Sequence, residues 1–347
     1  MAAKRVLIAG GGVAGLQAAL DLAAAGIEVV LAEKEATLGG HVAGFSSLFP
    51  HLNDGREMSR KMIDRIKGQP GITVLAATKV TAVDRDSGGF VVAMDGAGTD
   101  DRAFFDAVLL ATGYRNFAAE KYGEYGYDRY QGVITSIDFE KQWPELATQP
   151  LKTVVFIQCV GARDRSKGMP YCSKVCCMYT AKQAAEVRDA LPDTQVYVFY
   201  MDIRANFHHG EEFVRGVMEK QRVRYIRGRV AKVFPAGSRL IVRAEDTLMG
   251  VPLEMETDLV VLASAMVPEQ ETAELARRVG GAADDYGFVA PPFESIRDQP
   301  MSIAPGVFYA GACGFPTDAK DAIMQGSAAA SGILAYLLSG EKGRMER

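Results

Sequence analysis

One stretch near the start of the chain constrains its fold more tightly than any other. The run KRVLIAG, residues 4–10, has the apolar character of a short strand and opens into Gly10, Gly12 and Gly15 in G-x-G-x-x-G register. LQAALDLAAAG then reads as a helix closed by Gly26, and IEVVLAE as a second strand ending on Glu33, eighteen residues after Gly15. Strand, glycines, helix, strand and acid in that order make a βαβ dinucleotide fingerprint. Gly10 permits the tight turn, Gly12 lets the backbone approach a pyrophosphate, and Gly15 brings helix against strand. The amides of the helix N-terminus receive the phosphate charge, and Glu33 accepts from ribose hydroxyls.

The fingerprint alone does not separate FAD from NAD. Two later segments bear on that choice. FDAVLLATG, residues 105–113, is an apolar strand ending in Ala111, Thr112 and Gly113; GVFYAG, residues 306–311, is another, followed by a helix beginning near Asp318. They read either as two ordinary buried strands with glycine ends or as ligand contacts. The pair resembles the two further FAD contacts of the pyridine-nucleotide-disulfide-reductase class of flavoproteins, in which the last strand and helix return to the first domain. The resemblance implies FAD contacts at Gly10, Gly12, Val13, Ala14, Gly15, Glu33, Lys34, Gly39, Gly40, His41, Val80, Ala111, Thr112, Gly113, Gly311, Ala312, Ala319 and Gln325.

Between these segments, ITVLAATKVTAVDRD and GFVVAMDG read as a β-meander, and residues 116–150, rich in Tyr, Gly and charge, as a connection. A second βα pattern opens at Thr153 with TVVFIQ. A nicotinamide domain would place its glycines directly after that strand, but Cys159, Val160, Gly161, Ala162, Arg163 and Asp164 stand there instead. The rest of the frame persists as a helix over 173–190, the strand QVYVFYM, a helix over 211–220, the strand VRYI, and DLVVLAS ending at Ser264. The expected organisation is a first FAD-binding part at 1–117, a linker at 118–150, a second Rossmann-like domain at 151–268, and the C-terminal FAD-binding part at 269–347.

Composition narrows the partners. The 347 residues are 48% apolar and 24% charged, enough for two globular domains, and 39 basic against 43 acidic residues give a net charge of -4. No basic field favours nucleic acid. Lys4 and Arg5 precede an apolar segment as in a signal peptide, but GGGVAG interrupts it and Asp21 follows. The most apolar later helix candidate, residues 328–338, is shorter than the ~20 residues a span requires, so no transmembrane segment is expected. Clustered thiols without an export signal fit a reducing cytoplasm.

Residues 159–177 hold four of the five cysteines, spaced C-x12-C-x3-C-C. Were the later turn helical, Cys172 and Cys176 would share a face while Cys177 would be rotated ~100° away, so all four converge only if the backbone opens. Paired zinc knuckles, the C-x2-C-x2-C run of small ferredoxins and a C-x-x-C redox pair are all absent. From spacing alone, a metal or iron–sulfur centre, a redox disulfide and inert buried thiols stay open.

CVGARD, YCSKVCCMYTAKQA at residues 171–184, YMDIRA at 200–205, EEF at 211–213 and IRGRV at 226–230 resemble the A subunit of heterodisulfide reductase, over nearly the whole chain. The resemblance implies an α/β, thioredoxin-reductase-like two-domain flavoprotein with two Rossmann-type three-layer domains. It implies FAD, one 4Fe–4S cluster on Cys159, Cys172, Cys176 and Cys177, and Lys182 as a flavin-tuning lysine, the alternative being a solvated helix lysine. It implies an oxidoreductase subunit working with other subunits of a complex around a homodimer core. Long family members carry extra ferredoxin modules; this chain lacks their motifs and resembles the short form in heterodisulfide-reductase-like complexes of sulfur-oxidising bacteria.

Two rival functions are an NAD(P)H-dependent disulfide reductase with Cys172 and Cys176 as its redox pair, and a scaffold with structural cofactors. Gly311-Ala312 stands where flavoprotein reductases usually have Gly-Asp. Cys313 reads as a spectator thiol, and His208 and His209 as exposed loop residues.

Overall fold

A computed structural model of the chain describes residues 4–96, 99–289 and 301–339. The chain divides into two compact units: residues 1–44, 55–115 and 267–347 form one, and 45–54 with 116–266 the other.

The first unit is built on a six-stranded sheet in the order Ser302–Ala304, Val307–Tyr309, Ala107–Leu110, Arg5–Ala9, Glu28–Ala32, Ile72–Leu75. Neighbours pair in parallel except the first two, which are antiparallel. Arg5–Ala9, Glu28–Ala32 and Ala107–Leu110 are almost wholly apolar because parallel strands are covered on both faces. Helix Val13–Ala24 lies on one face, against helix Ala319–Ser339. A Cβ on Gly326 would stand 2.4 Å from the Ala14 carbonyl oxygen, so glycine there sets how closely the two helices approach. On the other face the antiparallel strands Thr78–Asp86, Gly89–Gly96 and Thr99–Phe105 and helix Gln270–Arg278 close a core containing Leu7, Val30, Phe90, Val92, Val108 and Leu275.

Two sequence expectations change here. The stretch 72–86 does not form one meander strand: Ile72–Leu75 joins the parallel sheet, Ala77 turns at φ +50°, and Thr78–Asp86 opens the meander. The apolar C-terminal helix is not confined to 328–338. It runs 21 residues, Ala319–Ser339, long and apolar enough by length and composition to cross a membrane, and it buries Ala322, Gly326, Ala329, Gly332 and Ile333 within this unit as a core helix does.

The second unit carries a five-stranded, all-parallel sheet in the order Arg224–Arg227, Gln195–Tyr200, Thr153–Val160, Leu259–Ser264, Val133–Thr135. Helices Ser136–Leu146, Cys176–Ala190 and Gly210–Glu219 cover it, and Phe139, Phe156, Met178, Val198 and Val214 fill the core. A three-stranded antiparallel meander spans 232–257.

The segment 118–150 is therefore not a linker. It supplies the edge strand Val133–Thr135 and a helix whose start is fixed by a capping box, in which Thr135 Oγ1 accepts from the Asp138 amide and the Asp138 carboxylate accepts from the Thr135 amide. The helix expected over 173–190 begins three residues later, at Cys176, because Lys174 has φ +63° and cannot lie in a right-handed helix.

Candidate functional site

The first unit gathers the fingerprint at the C-terminal ends of its parallel strands. A Cβ on Gly10 would stand 2.2 Å from the Ala111 carbonyl oxygen, and one on Gly15 would stand 2.0 Å from that of Gly10. Both glycines are required by close backbone approach. Gly12 differs: a Cβ there would meet nothing within 4 Å, and the same holds for Gly113. Gly12 is also the N-cap of helix Val13–Ala24 and gives it no side-chain cap, so the first-turn amides are left for a ligand.

The flanking residues close around this turn. Gly39 bridges to Gly12, and its amide donates to the Gly11 carbonyl at 2.8 Å; a Cβ on Gly40 would lie 3.2 Å from the Gly12 α-carbon. Glu33, buried, accepts from the Gly11 amide at 2.6 Å and the Glu35 amide at 2.9 Å. Each of its oxygens keeps a lone pair for a further donor. Gln325 Oε1 accepts from the Gly311 amide at 2.8 Å, and Gly311 itself faces Ala14. Ala312 lies in the short turn Gly311–Cys313, and Ala319 opens the last helix. Thr112 bonds Thr272 hydroxyl to hydroxyl at 2.6 Å. His41 stacks on Tyr114 with ring centroids 4.3 Å apart, and its Nε2 lies 3.0 Å from the Tyr114 carbonyl oxygen. Val80 sits in the core beside a β-bulge. Lys34 turns to an ion pair with Glu269 at 2.8 Å. The open faces of Gly12 and Gly113 and the uncapped helix suit a dinucleotide pyrophosphate, the need for which FAD and NAD share.

The second unit builds the cysteine pocket at the matching end of its own sheet. Strand Thr153–Val160 loses register with Leu259–Ser264 between Ile157 and Val160, and Cys159 turns left-handed at φ +62°. Arg163 and Lys174 are left-handed too, at +57° and +63°. Three non-glycine residues in that region within sixteen positions mark a loop held against its backbone preference, as occurs at functional sites. Cys176 and Cys177 occupy the first turn of helix Cys176–Ala190, where the dipole favours thiolate. Cys172 precedes the helix and accepts from the Lys174 amide at 3.3 Å.

The four thiols lie within electrostatic range of one another, all unpaired, and only Cys172 is partly exposed. Burial pushes the Cys159 thiol up to about 11. Cys176 donates to Cys177, which raises Cys176 and, with burial opposing and the Arg204 amide assisting, lowers Cys177 to about 7. Cys177 Sγ lies 3.5 Å from Gln158 Oε1 and 3.7 Å from the Asp202 carbonyl oxygen. Arg163 hydrogen-bonds Cys159 and pairs with Asp202 at 2.7 Å. Among the described residues, no three His, Cys, Asp or Glu side chains converge as ligands on a single metal ion.

Lys182 is not a solvated helix lysine. Its ammonium is sealed between Glu140 and Glu186, and Ser47 from the segment 45–54 donates to Glu186 at 2.6 Å. Cys313 is buried in the first unit and donates to the Leu110 carbonyl at 3.2 Å. The rings of His208 and His209 pack edge to face at 3.8 Å beside the start of helix Gly210–Glu219.

Residues 4–157 match the family described as pyridine nucleotide-disulphide oxidoreductase. The chain is 33% identical to the second iron-sulfur A subunit of CoB–CoM heterodisulfide reductase from Methanopyrus kandleri, over 97% of this chain and 65% of that protein. It is 30% identical to the A subunit of the H2:CoB-CoM heterodisulfide,ferredoxin reductase of Methanothermobacter marburgensis, over 97% and 64%. The chain is similar over nearly all its length to A subunits of heterodisulfide reductases. It spans just under two thirds of the length of these relatives. In fold, the chain is similar to thioredoxin reductase from T. acidophilum, with TM-score 0.68, 19% identity and coverage of 97% and 98%. It is also similar to an NAD-dependent persulfide reductase from A. fulgidus, with TM-score 0.64, 19% identity and coverage of 95% and 58%. The two-domain, thioredoxin-reductase-like flavoprotein fold expected from the sequence is thus the fold observed, and the family and relatives are those of an oxidoreductase with a flavin redox role.

Sequence reasoning missed Gln158, Glu140, Glu186 and Tyr225. Only Gln158 left a local signal, as the one amide in the apolar run TVVFIQCV.

Proposed function

We propose that the chain is an electron-transfer subunit of a heterodisulfide-reductase-like assembly, holding FAD on the Gly10–Gly15 turn and one 4Fe–4S cluster on Cys159, Cys172, Cys176 and Cys177. The observation that carries this reading is the gathering of four free thiols on and beside a loop with three left-handed residues, where a nicotinamide fingerprint would otherwise follow the strand. A mononuclear ion needs its donors converged on one point. A cubane binds each thiolate through a different iron, so four thiols around one loop can share it without meeting at a point. When bound, FAD supplies the exchange between two-electron and one-electron chemistry, and the cluster supplies a one-electron centre.

The residues present supply positioning and charge. The first-turn amides after Gly12 bind phosphate, Glu33 orients ribose while the Gly11 and Glu35 amides hold it still, and Gln325 fixes the Gly311 turn. The helix start at Cys176 and the Arg163 guanidinium stabilise thiolate at the cluster ligands. Lys182, assigned to flavin tuning by resemblance, acts through a charge that Glu140 and Glu186 share. The sulfur chemistry resides on partner subunits around a homodimer core, in a sulfur-oxidising context within the cytoplasm, for which the five free cysteines are support.

The test is an anaerobic redox titration of the purified chain followed optically for flavin and by EPR for the cluster. Two separable transitions in one chain are expected. A flavin that titrates alone, and is bleached rapidly by NAD(P)H, would favour a nicotinamide-dependent disulfide reductase instead.

A further inference from the structure

The Cys177 corner of the pocket holds two polar groups that the metal-free fold does not use. Gln158 is 7% exposed, and its Nε2 is sealed from solvent without any hydrogen-bond partner. Its Oε1 accepts from the Cys177 thiol at 3.5 Å. The Tyr225 hydroxyl is likewise sealed and unpartnered, and it lies within electrostatic range of Cys177. A buried donor left without an acceptor is costly, so two such groups near one thiol call for an explanation.

The chemistry of the thiol supplies one. A cysteine ligating iron is a thiolate and has no proton to give. In that state Gln158 Oε1 loses its donor, and the amide has every reason to turn over. The rotation exchanges oxygen and nitrogen at nearly the same place, bringing Nε2–H to the sulfur. The Tyr225 hydroxyl has no partner in the metal-free pocket, which leaves its proton available to cluster sulfur.

We propose that Gln158 and Tyr225 are hydrogen-bond donors to the sulfurs of the cluster at its Cys177 corner, and that they raise its reduction potential. The inference rests on the cluster reading given above. Its physical basis is direct: donors to cluster sulfur stabilise the more negative, reduced form over the oxidised one. No electron or proton is transferred by either side chain; both act as positioning residues.

The test uses the full chain purified anaerobically as wild type, Gln158→Met and Tyr225→Phe. Met keeps the length of Gln without its donors, and Phe removes only the hydroxyl. Iron and acid-labile sulfide are measured first, then the cluster midpoint potential by EPR-monitored titration. The expected result is wild-type iron in both variants and a reduction equilibrium shifted about tenfold toward the oxidised cluster, or 59 mV lower for one electron. Wild-type iron with an unmoved potential in both variants overturns the proposal. Loss of iron from Gln158→Met makes Gln158 an assembly residue, and the outcome then turns on Tyr225→Phe, whose unmoved potential also overturns it. A wild-type chain without iron overturns the cluster reading itself, and this inference with it.

Discussion

Lys182 Nζ lies 2.5 Å from Glu140 Oε1, with the two side chains 2% and 6% exposed. Gln183 Nε2 donates to the same Glu140 oxygen at 2.6 Å, and Glu186 stands 3.4 Å from the ammonium. Breaking such a pair leaves a buried charge without a partner, so Lys182→Met is expected to cost about 3–5 kcal/mol in urea unfolding, while Lys182→Met/Glu140→Gln recovers most of it. If Lys182 also tunes the flavin, the single variant lowers the flavin potential, since it removes a cation that favours the reduced anion. A double variant as unstable as the single one would contradict the pairwise account.

The two glycines Gly12 and Gly15 are expected to fail in opposite ways. Gly15→Ala drives a Cβ into the Gly10 carbonyl and is expected to cost about 1–3 kcal/mol of stability with or without flavin. Gly12→Ala meets open space, so the flavin-free chain keeps its stability to within about 0.5 kcal/mol. The added methyl instead occupies the path of the pyrophosphate, and FAD affinity falls by roughly tenfold or more, measured by fluorescence titration at 1.4 kcal/mol per decade. Equal FAD affinity in Gly12→Ala and wild type would remove the ligand from this turn.

Asp164 accepts from Ser166, from the Tyr122 hydroxyl at 2.5 Å and from Arg229, which hold its carboxyl well below the usual range, Ser166 foremost. A depressed carboxylate contributes stability that is fully present above its unfolded value, about 3.9, and is lost as pH falls through the lower folded value. Asp164→Asn is therefore expected to be less stable than wild type by about 2 kcal/mol at pH 7, with the gap closing below pH ~4. A gap independent of pH would mean that packing, not charge, holds this loop.

Cys313 is fully buried, and burial raises its thiol to about 11. It is thereby a poor nucleophile. Cys313→Ala is expected to keep iron, sulfide and flavin at wild-type levels by elemental and optical assay. Loss of any of them would return the fifth cysteine to the site.

The parts of this protein legible in its sequence are those whose physics is local. The βαβ turn could be read because its strand, glycines, helix and acid are contiguous, and the cysteine loop because four thiols within nineteen residues are a compositional anomaly. What escaped is set by distant contacts. Strand Val133–Thr135 has three residues and no periodicity of its own, and the helix after it contains Pro144, although Thr135 and Asp138 gave a capping signal that could have been used. The burial of Lys182 against Glu140 has no sequence mark because the partner is 42 positions away. The start of the cysteine helix at Cys176 is not legible, because the left-handed turn at Lys174 that delays it has no sequence mark.

The central claim is that Cys159, Cys172, Cys176 and Cys177 together hold a 4Fe–4S cluster. Iron and acid-labile sulfide in the anaerobically purified chain, with EPR after dithionite reduction, test it most directly when wild type is measured beside Cys176→Ser and Cys313→Ser. The account predicts equal iron and sulfide and a reduced-cluster signal in wild type and Cys313→Ser, and a lost or altered cluster in Cys176→Ser with flavin retained. A wild-type chain with full flavin and no iron, or a Cys176→Ser variant indistinguishable from it, would contradict the account.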